Sequence, residues 1–414
     1  MTSMGEPPVS LASRLWTPAK RIMAVSLLVD LAVSCVVLGA QFLAIELGAS
    51  PLLLGLIGTA GSLAYALTCI VSGSVSDRVG RRPLAVAACV VSAVVWLAMS
   101  QAQTPYHLLV LAPLSGAALA FFWPPAQAWL GELSGDSTHR LNHNLSLFNI
   151  AWTIGIMTGP WVAGQTWEMG HIVPFAIATG LGLVAAGIVM GIPAGTDGGA
   201  QPAAVVVSAP PRLVHLFLLL AWVGNWASWY ARGTVTTLYP KLGLDLAHSH
   251  ALVGTLILVL GVAQLAAFAV ARFSVRWHYS LAVLPAAEVL GLVGMAAGAW
   301  VRTPLWFAAA FSAVGVCAGV TYVSSLTYAL HGQASSRGRR SGLHEAVLGM
   351  GAVAGPLVGG ILGEALNLRA SFVAGAAAFG VAILVQVVLF VREQAQVSLA
   401  QPVPATSLPE DEVR

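Results

Sequence analysis

Between Arg82 and Glu132 the chain runs for 49 residues without an Asp, Glu, Lys or Arg, and similar stretches recur along its length. A helix needs about 20 apolar residues to cross a bilayer. Charged residues make up 8% of the 414-residue chain and the mean hydropathy is +0.83, whereas a typical soluble domain is about 25% charged. So little polar surface cannot coat a water-soluble fold of this size, and the solvent implied is lipid. Twelve spans follow, at 21–45, 51–74, 83–101, 106–132, 142–166, 171–193, 213–239, 249–271, 280–301, 304–330, 342–366 and 369–391. In lipid every backbone N–H and C=O must be satisfied internally, and segments of this length rich in Ala, Leu and Gly do so as helices. The expected fold is an all-α membrane protein.

The first span, preceded by "LWTPAKR", is too long for a signal-peptide core and is expected to remain as an anchor. Of the 19 Lys and Arg residues, 15 fall on one side of the twelve-span map; Lys241, Arg302 and Arg369 fall on the other, and Arg232 lies within a span. The positive-inside rule then assigns both termini to the cytoplasm. An odd number of spans would scramble this bias. Cys35, Cys69, Cys89 and Cys317 all lie within spans with no paired or metal-like spacing, so they read as small packing residues.

The chain also repeats itself. "GAVAGPLVGG" at 351–360 resembles "GIMTGPWVAG" at 155–164, with Pro356 lying 196 residues after Pro160, and "IELG" at 45–48 resembles "PKLG" at 240–243, 195 residues on. Spans 7–12 are therefore read as a copy of spans 1–6. Between them lies "PAGTDGGAQPAAVVVSAPP", a Pro/Gly/Ala linker. The expected organisation is a cytoplasmic tail at 1–20, a six-helix bundle at 21–193, a linker at 194–212, a second pseudo-symmetric six-helix bundle at 213–392 and a tail at 393–414. Such paired bundles suggest a secondary transporter with its site near the midplane.

The stretch "GSVSDRVGRR", between spans 2 and 3, gathers Asp77, Arg78, Arg81 and Arg82 into a turn flanked by Gly73 and Gly80. Its pattern, G-x-x-x-D-R-x-G-R-R, resembles the signature loop of the major facilitator superfamily, and its position between spans 2 and 3 agrees. The resemblance covers residues 15–392 and implies the two-bundle fold and transport by alternating access. It further implies that Asp77 sits against the start of span 11, where a positive helix dipole favours a carboxylate, as a latch on the cytoplasmic side. The C-terminal counterpart, "ARFSVRWHYS", keeps basic residues but lacks the aspartate and glycines.

A second motif surrounds Pro356, with Gly342, Gly351, Gly355, Gly359 and Gly360; span 5 has Ser146, Gly155, Gly159, Pro160, Ala163 and Gly164 at matching positions. Small residues at these spacings let helices approach closely, and a Gly-Pro pair permits a kink. In span 5 the pattern resembles the signature of proton-coupled drug antiporters. Those proteins usually carry an arginine near the start of span 4, where this chain has Ala112.

Charges placed in mid-bilayer are costly and mark pathways. Asp30 is nine residues beyond Arg21, about 14 Å along span 1. It resembles in position the helix 1 carboxylate of tetracycline-type antiporters, and the 195-residue repeat pairs it with Asn225. Glu288 in span 9 is a second candidate acid, and His344 with Glu345, aligned with Asn149, a third. Glu132 and Glu364 stand at helix ends and read as interfacial. Span 7 carries Trp222, Trp226 and Trp229 on one face, beside Asn225 and Arg232, an arrangement suited to an amphipathic or anionic substrate. Trp152, Trp123 and Gln127 are placed to face the same cavity, and Tyr65, Gln264 and Tyr322 are secondary candidates. "HSH" at 248–250 is too short for a metal site.

No enzyme signature, nucleotide-binding motif, cofactor motif or nucleic-acid-binding patch is legible, so the proton gradient is the expected energy source. The expected function is proton-coupled export of small amphipathic organic compounds by a monomeric carrier. Alternatives are uptake or facilitated transport of a metabolite or organic anion, and a lipid flippase or non-transporting sensor. The expected partners are a small-molecule substrate and membrane lipids. High Ala and Gly with 17 Arg to 2 Lys point to a bacterial inner membrane.

Overall fold

The computed structural model describes residues 16–134, 138–192, 210–273, 277–330 and 337–400. The linker at 194–212 and the terminal tails lie largely outside the described residues. Twelve helices are long and apolar enough to cross a membrane: Pro18–Glu46, Pro51–Val79, Arg81–Met99, Pro105–Ser134, His143–Met169, Ile172–Met190, Pro211–Asp245, His250–Ala271, Val283–Trp300, Pro304–Ala329, Leu343–Ala365 and Leu368–Gln394. They are spans 1–12 below. No strand occurs among the described residues.

Local sequence sets the helix starts. Thr17 and Ser50 precede Pro18 and Pro51, and their hydroxyls accept from Lys20 N and Leu53 N, both at 3.4 Å. Proline fits the first helical position because its missing N–H has no partner there in any case. Span 4 departs from the single helix the sequence suggests: it is built from Pro105–Ala120 and Trp123–Ser134, with a turn at Phe121 and Phe122. Pro124 and Pro125 lack the N–H groups that would continue the ladder across this point.

The spans pair with two-fold pseudo-symmetry. Span 1 packs on 5 and 6, 2 on 4, and 3 on 6; in the second half 7 packs on 11 and 12, 8 on 10, and 9 on 12. The halves meet where span 2 lies on 11 and span 5 on 8. Glycines make the crossings tight. A Cβ on Gly155 would lie 2.5 Å from Leu27 O and 2.8 Å from Asp30 Cβ, and one on Gly351 would lie 2.4 Å from Trp226 O and 3.0 Å from Trp229 Cβ.

These contacts correct the register of the repeat. Gly155 and Gly351 are symmetry mates, so Asp30 corresponds to Trp229, 199 residues on, and Asn225 is one turn away. The same interval relates the capping hydroxyls of Ser50 and Ser249, and the positive-φ pair Gly48 (80°) and Ala247 (61°). The resemblance of "IELG" to "PKLG" is thus one helical turn out of register; four residues leave a helix face nearly unchanged, so periodicity could not expose the slip.

Contacts between halves concentrate on the side opposite the termini. There Gln165 Nε2 donates to Ala251 O and Thr255 Oγ1 (3.3 Å each), Leu52 N donates to Glu364 Oε2 (3.3 Å) and His250 Nδ1 meets Glu168 Oε1 (2.7 Å). Thr59 Oγ1 donates to Val353 O at 3.2 Å, closer to the midplane. None of these bonds lies on the terminal side. The conformation is sealed on the far side and parted on the terminal side.

The signature loop reflects this state. Gly80, φ +95°, closes span 2 and opens span 3. Arg81 donates from Nε to Glu132 Oε1 at 2.8 Å and from Nη2 to the same oxygen, with Asp77 Oδ1 3.6 Å from Nη2. Arg82 donates to Met190 O at the end of span 6, and Arg78 is exposed. Asp77 does not sit against span 11: its side chain is 69% exposed, because the parted terminal side holds the two halves away from each other. Glu132 is the anchor of the turn rather than an interfacial acid. Its pair with Arg81 is largely buried (17% and 14% exposed), so losing one partner leaves a poorly solvated charge. Arg81→Gln and Glu132→Gln are each expected to cost about 1–3 kcal/mol, and a double-mutant cycle read by thermal denaturation in detergent should show coupling of similar size. Additive effects would rule the pair out as a unit.

Candidate functional site

A cavity of about 360 Å³ lies where the halves meet, in the range of small-molecule sites. Its walls come from spans 1, 2, 4 and 5 of one half and 7, 8, 10 and 11 of the other, with Met99 at the end of span 3. Spans 6, 9 and 12 contribute nothing to it.

Asp30 enters the cavity from mid-span 1, where Gly155 lets span 5 approach closely. It has no hydrogen-bond or ion-pair partner among the described residues. Arg232 lines the cavity from span 7. Its Nη1 donates to Gln264 Oε1 at 2.8 Å and its Cζ stands 5.6 Å from the centre of the Trp229 ring. Such a cation–π contact holds the guanidinium flat on the indole. Asp30 and Arg232 face the same cavity from opposite halves without closing to an ion pair within 4 Å. Glu345, from span 11, adds a second carboxylate to the wall.

Aromatic side chains bridge the halves beside these charges. Trp152 of span 5 meets Tyr322 of span 10 edge-on, 5.6 Å between ring centres, and Tyr322 in turn meets His344 at 5.1 Å. Trp152 Nε1 donates to Asn149 Oδ1 at 3.0 Å, and His344 Nδ1 is 2.6 Å from Ser325 Oγ. Asn149 and His344 therefore stand behind the wall and orient Trp152 and Tyr322. Trp123, packed edge-on against Phe148 at 5.8 Å, and Gln127 line the cavity from below the break in span 4.

Other sequence candidates lie elsewhere. Glu288 is buried inside the second bundle, accepting from Gln386, whose amide also donates to Leu220 O at 2.8 Å. Gly224 makes room for it: a Cβ there would lie 2.2 Å from Glu288 Oε1. Span 9 packs on the outer side of its bundle, so an acid on its inner face meets spans 7 and 12 instead of the cavity. Asn225 is fully buried with both amide atoms unpartnered among the described residues. Trp226 packs by Tyr230, 5.7 Å between ring centres, and Trp222 joins a separate cluster with Phe217 and Tyr328. Of the tryptophan stripe only Trp229 reaches the cavity, because the wall that span 7 contributes runs from Trp229 to Thr237 and so begins where the stripe ends.

The sequence reading missed Gln41, whose Oε1 is buried without a partner on the cavity wall. The signal was present: Asp30, Ser34, Val37 and Gln41 follow i, i+4, i+7, i+11 on one face of span 1. The histidines at 248 and 250 serve different networks: Tyr239 Oη lies 3.0 Å from His248 Nδ1, whereas His250 pairs with Glu168.

The profile of the Major Facilitator Superfamily matches residues 22–333 and 221–411, two overlapping stretches that together cover nearly the whole chain. The chain belongs to this superfamily. It is thus a multi-pass membrane transporter with the alternating-access fold, and not an enzyme. An uncharacterized MFS-type transporter of Mycobacterium tuberculosis is 28% identical over 123 residues, 30% of this chain and 29% of that one. The match to this relative thus spans under a third of its length. Among solved structures, a bacterial homologue of the human lysosomal transporter Spinster, in an inward-facing and occupied conformation, aligns with TM-score 0.75 at 14% identity, over 97% of this chain and all of that one. A peptide transporter, POT, aligns at 0.72 and 13% identity (90% and 94% covered), and the nucleoside transporter NupG at 0.68 and 13% (90% and 98%). At these identities the likeness shows the fold alone.

Proposed function

We propose that the protein exports small amphipathic organic compounds in exchange for protons. The observation that carries this reading is Asp30: an acid in the cavity wall with no protein partner, available to either a proton or a cationic substrate but not to both. Exclusive occupancy of one carboxylate couples opposite movements without further machinery. In the terminal-side-open form a substrate enters, its cationic part neutralises Asp30, and the halves rock. On the far side a proton displaces the substrate, and the neutral acid permits return. Aromatic walls from Trp123, Trp152 and Trp229 suit the apolar part. Arg232 supplies from the opposite half the guanidinium that drug antiporters carry in span 4, where Ala112 also lines this cavity.

The positive-inside bias supports placing the terminal side in the cytoplasm of a bacterial inner membrane, and a cavity walled entirely by one chain suits a monomer. A second reading, uptake of an organic anion, rests on Arg232, whose remaining N–H groups have no partner among the described residues. Ethidium efflux from cells carrying wild type, Asp30→Asn or empty vector, with and without an uncoupler, separates the two. Export predicts uncoupler-sensitive efflux in wild type alone, at least tenfold above Asp30→Asn. Equal efflux from wild-type and vector cells would sink this reading and move attention to anion uptake, with Arg232→Ala as the control.

A further inference from the structure

The cavity is polarised along its length. Asp30 and Glu345 lie on the terminal side of the middle of spans 1 and 11 and Arg232 one turn beyond the level of Asp30 in span 7, while the wall continues from Asp30 to Gln41 along span 1. Those eleven residues amount to about 16 Å. Beyond the charges, the first half supplies Val37, Leu38, Ile57, Met99 and Ala112, an arm of aliphatic side chains from spans 1 to 4 with Gln41 and Ser115 beside them. Val37 is 43% exposed although it faces this space, so the arm is open rather than collapsed. At the charged end, Asp30 and Glu345 have no hydrogen-bond partner among the described residues, and one guanidinium, steadied by Gln264 and Trp229, keeps free N–H groups. A ligand carrying one charge would meet either the acids or the guanidinium and leave the other facing its apolar body, which costs free energy wherever that body displaces water from the charge.

We propose that the preferred ligands are zwitterions with a single unbranched apolar chain: an ammonium at Asp30, an acid group at Arg232 and the chain in the arm of the first half. This rests on the reading of the cavity as the substrate path and narrows its substrate class. The acid group bonds to N–H groups that Gln264 does not use, and the chain displaces water from the aliphatic wall.

The test is equilibrium binding to purified protein, read by tryptophan fluorescence, since Trp123, Trp152 and Trp229 line the cavity. The probes are 2-aminooctanoic acid, octylamine, octanoate and 2-aminobutyric acid. The zwitterion with the long chain should bind at least tenfold tighter than octylamine or octanoate. It should exceed 2-aminobutyric acid by about 250-fold, near fourfold per added methylene over four methylenes. Val37→Phe, which fills the arm without adding a tryptophan to the fluorescence signal, should lower the affinity of 2-aminooctanoic acid far more than that of 2-aminobutyric acid. Octylamine binding as tightly as 2-aminooctanoic acid would overturn the proposal, as would affinity independent of chain length in wild type. If zwitterions bind in this pattern but ethidium efflux is absent, the export reading fails and the ligand class stands. If efflux is uncoupler-sensitive but the pattern is missing, the ligand class fails and export stands.

Discussion

Replacing Gly254 with valine is expected to hold the transporter open on the far side and to cut transport at least tenfold. A Cβ at Gly254 would lie 2.4 Å from Pro160 O and 3.1 Å from Gly164 Cα, backbone atoms of the other half that cannot rotate away. The symmetry-related position is as tight, with a Cβ on Gly55 2.4 Å from Pro356 O and 2.9 Å from Gly360 Cα. Overpacking costs about 1–3 kcal/mol where neighbours can shift, and a full reversal of a two-state population takes about 5.5 kcal/mol. One substitution should therefore shift the balance by about five- to 150-fold, and Gly55→Val with Gly254→Val should come close to inverting it. Cysteines introduced at far-side loop positions should become more reactive to membrane-impermeant thiol reagents, and terminal-side ones less. Unchanged labelling and transport in the double variant would show that these crossings do not seal the far side.

Gly355→Val acts within a bundle and should cost folding rather than bias it. A Cβ at this site would lie 2.1 Å from Tyr230 O, and the neighbouring crossing at Gly351 is nearly as close to Trp226 O. Span 11 would have to leave span 7, taking Glu345 and Leu348 away from the wall that Trp229 and Arg232 form. The expected result is a protein that aggregates on extraction and transports at background. Gly187→Ala is the matched control: no atom lies within 4 Å of its Cβ position, and alanine in a helix interior is favoured by about 1 kcal/mol. Thermal denaturation of the two variants in detergent should move in opposite directions. A Gly355→Val protein with wild-type stability would mean that the crossing relaxes without loss.

Much of the architecture is legible in one dimension. The Ser50–Pro51 and Thr17–Pro18 starts, the charge-poor spans and the glycines before Pro160 and Pro356 each act through neighbours in the chain or along one helix face. The site is less legible. Asp30, Arg232, Glu345, Trp152, Trp229, Trp123 and Gln127 were named and line the cavity, whereas Glu288, Asn225 and Trp226 were named and do not. All three sit on helix faces that look inward, and only the packing of spans 9, 10, 11 and 12 around span 7 determines whether inward means cavity or bundle interior. Gln41 stands eleven residues beyond Asp30, and only the packing of spans 1, 2 and 4 shows that the cavity extends that far along the face they share.

The sequence alone determined that this protein is a twelve-span helical transporter with a signature turn between spans 2 and 3. Hydropathy, span length and charge placement are properties of contiguous residues, and lipid permits few other ways to satisfy the backbone. The tertiary structure decided the 199-residue register that makes Trp229 the counterpart of Asp30, the exposure of Asp77, and which polar groups share the cavity. Those outcomes depend on side chains meeting across 100 or more residues of sequence. A helical period fixes the face a residue occupies, while its depth and its neighbours are set only when the two halves come together.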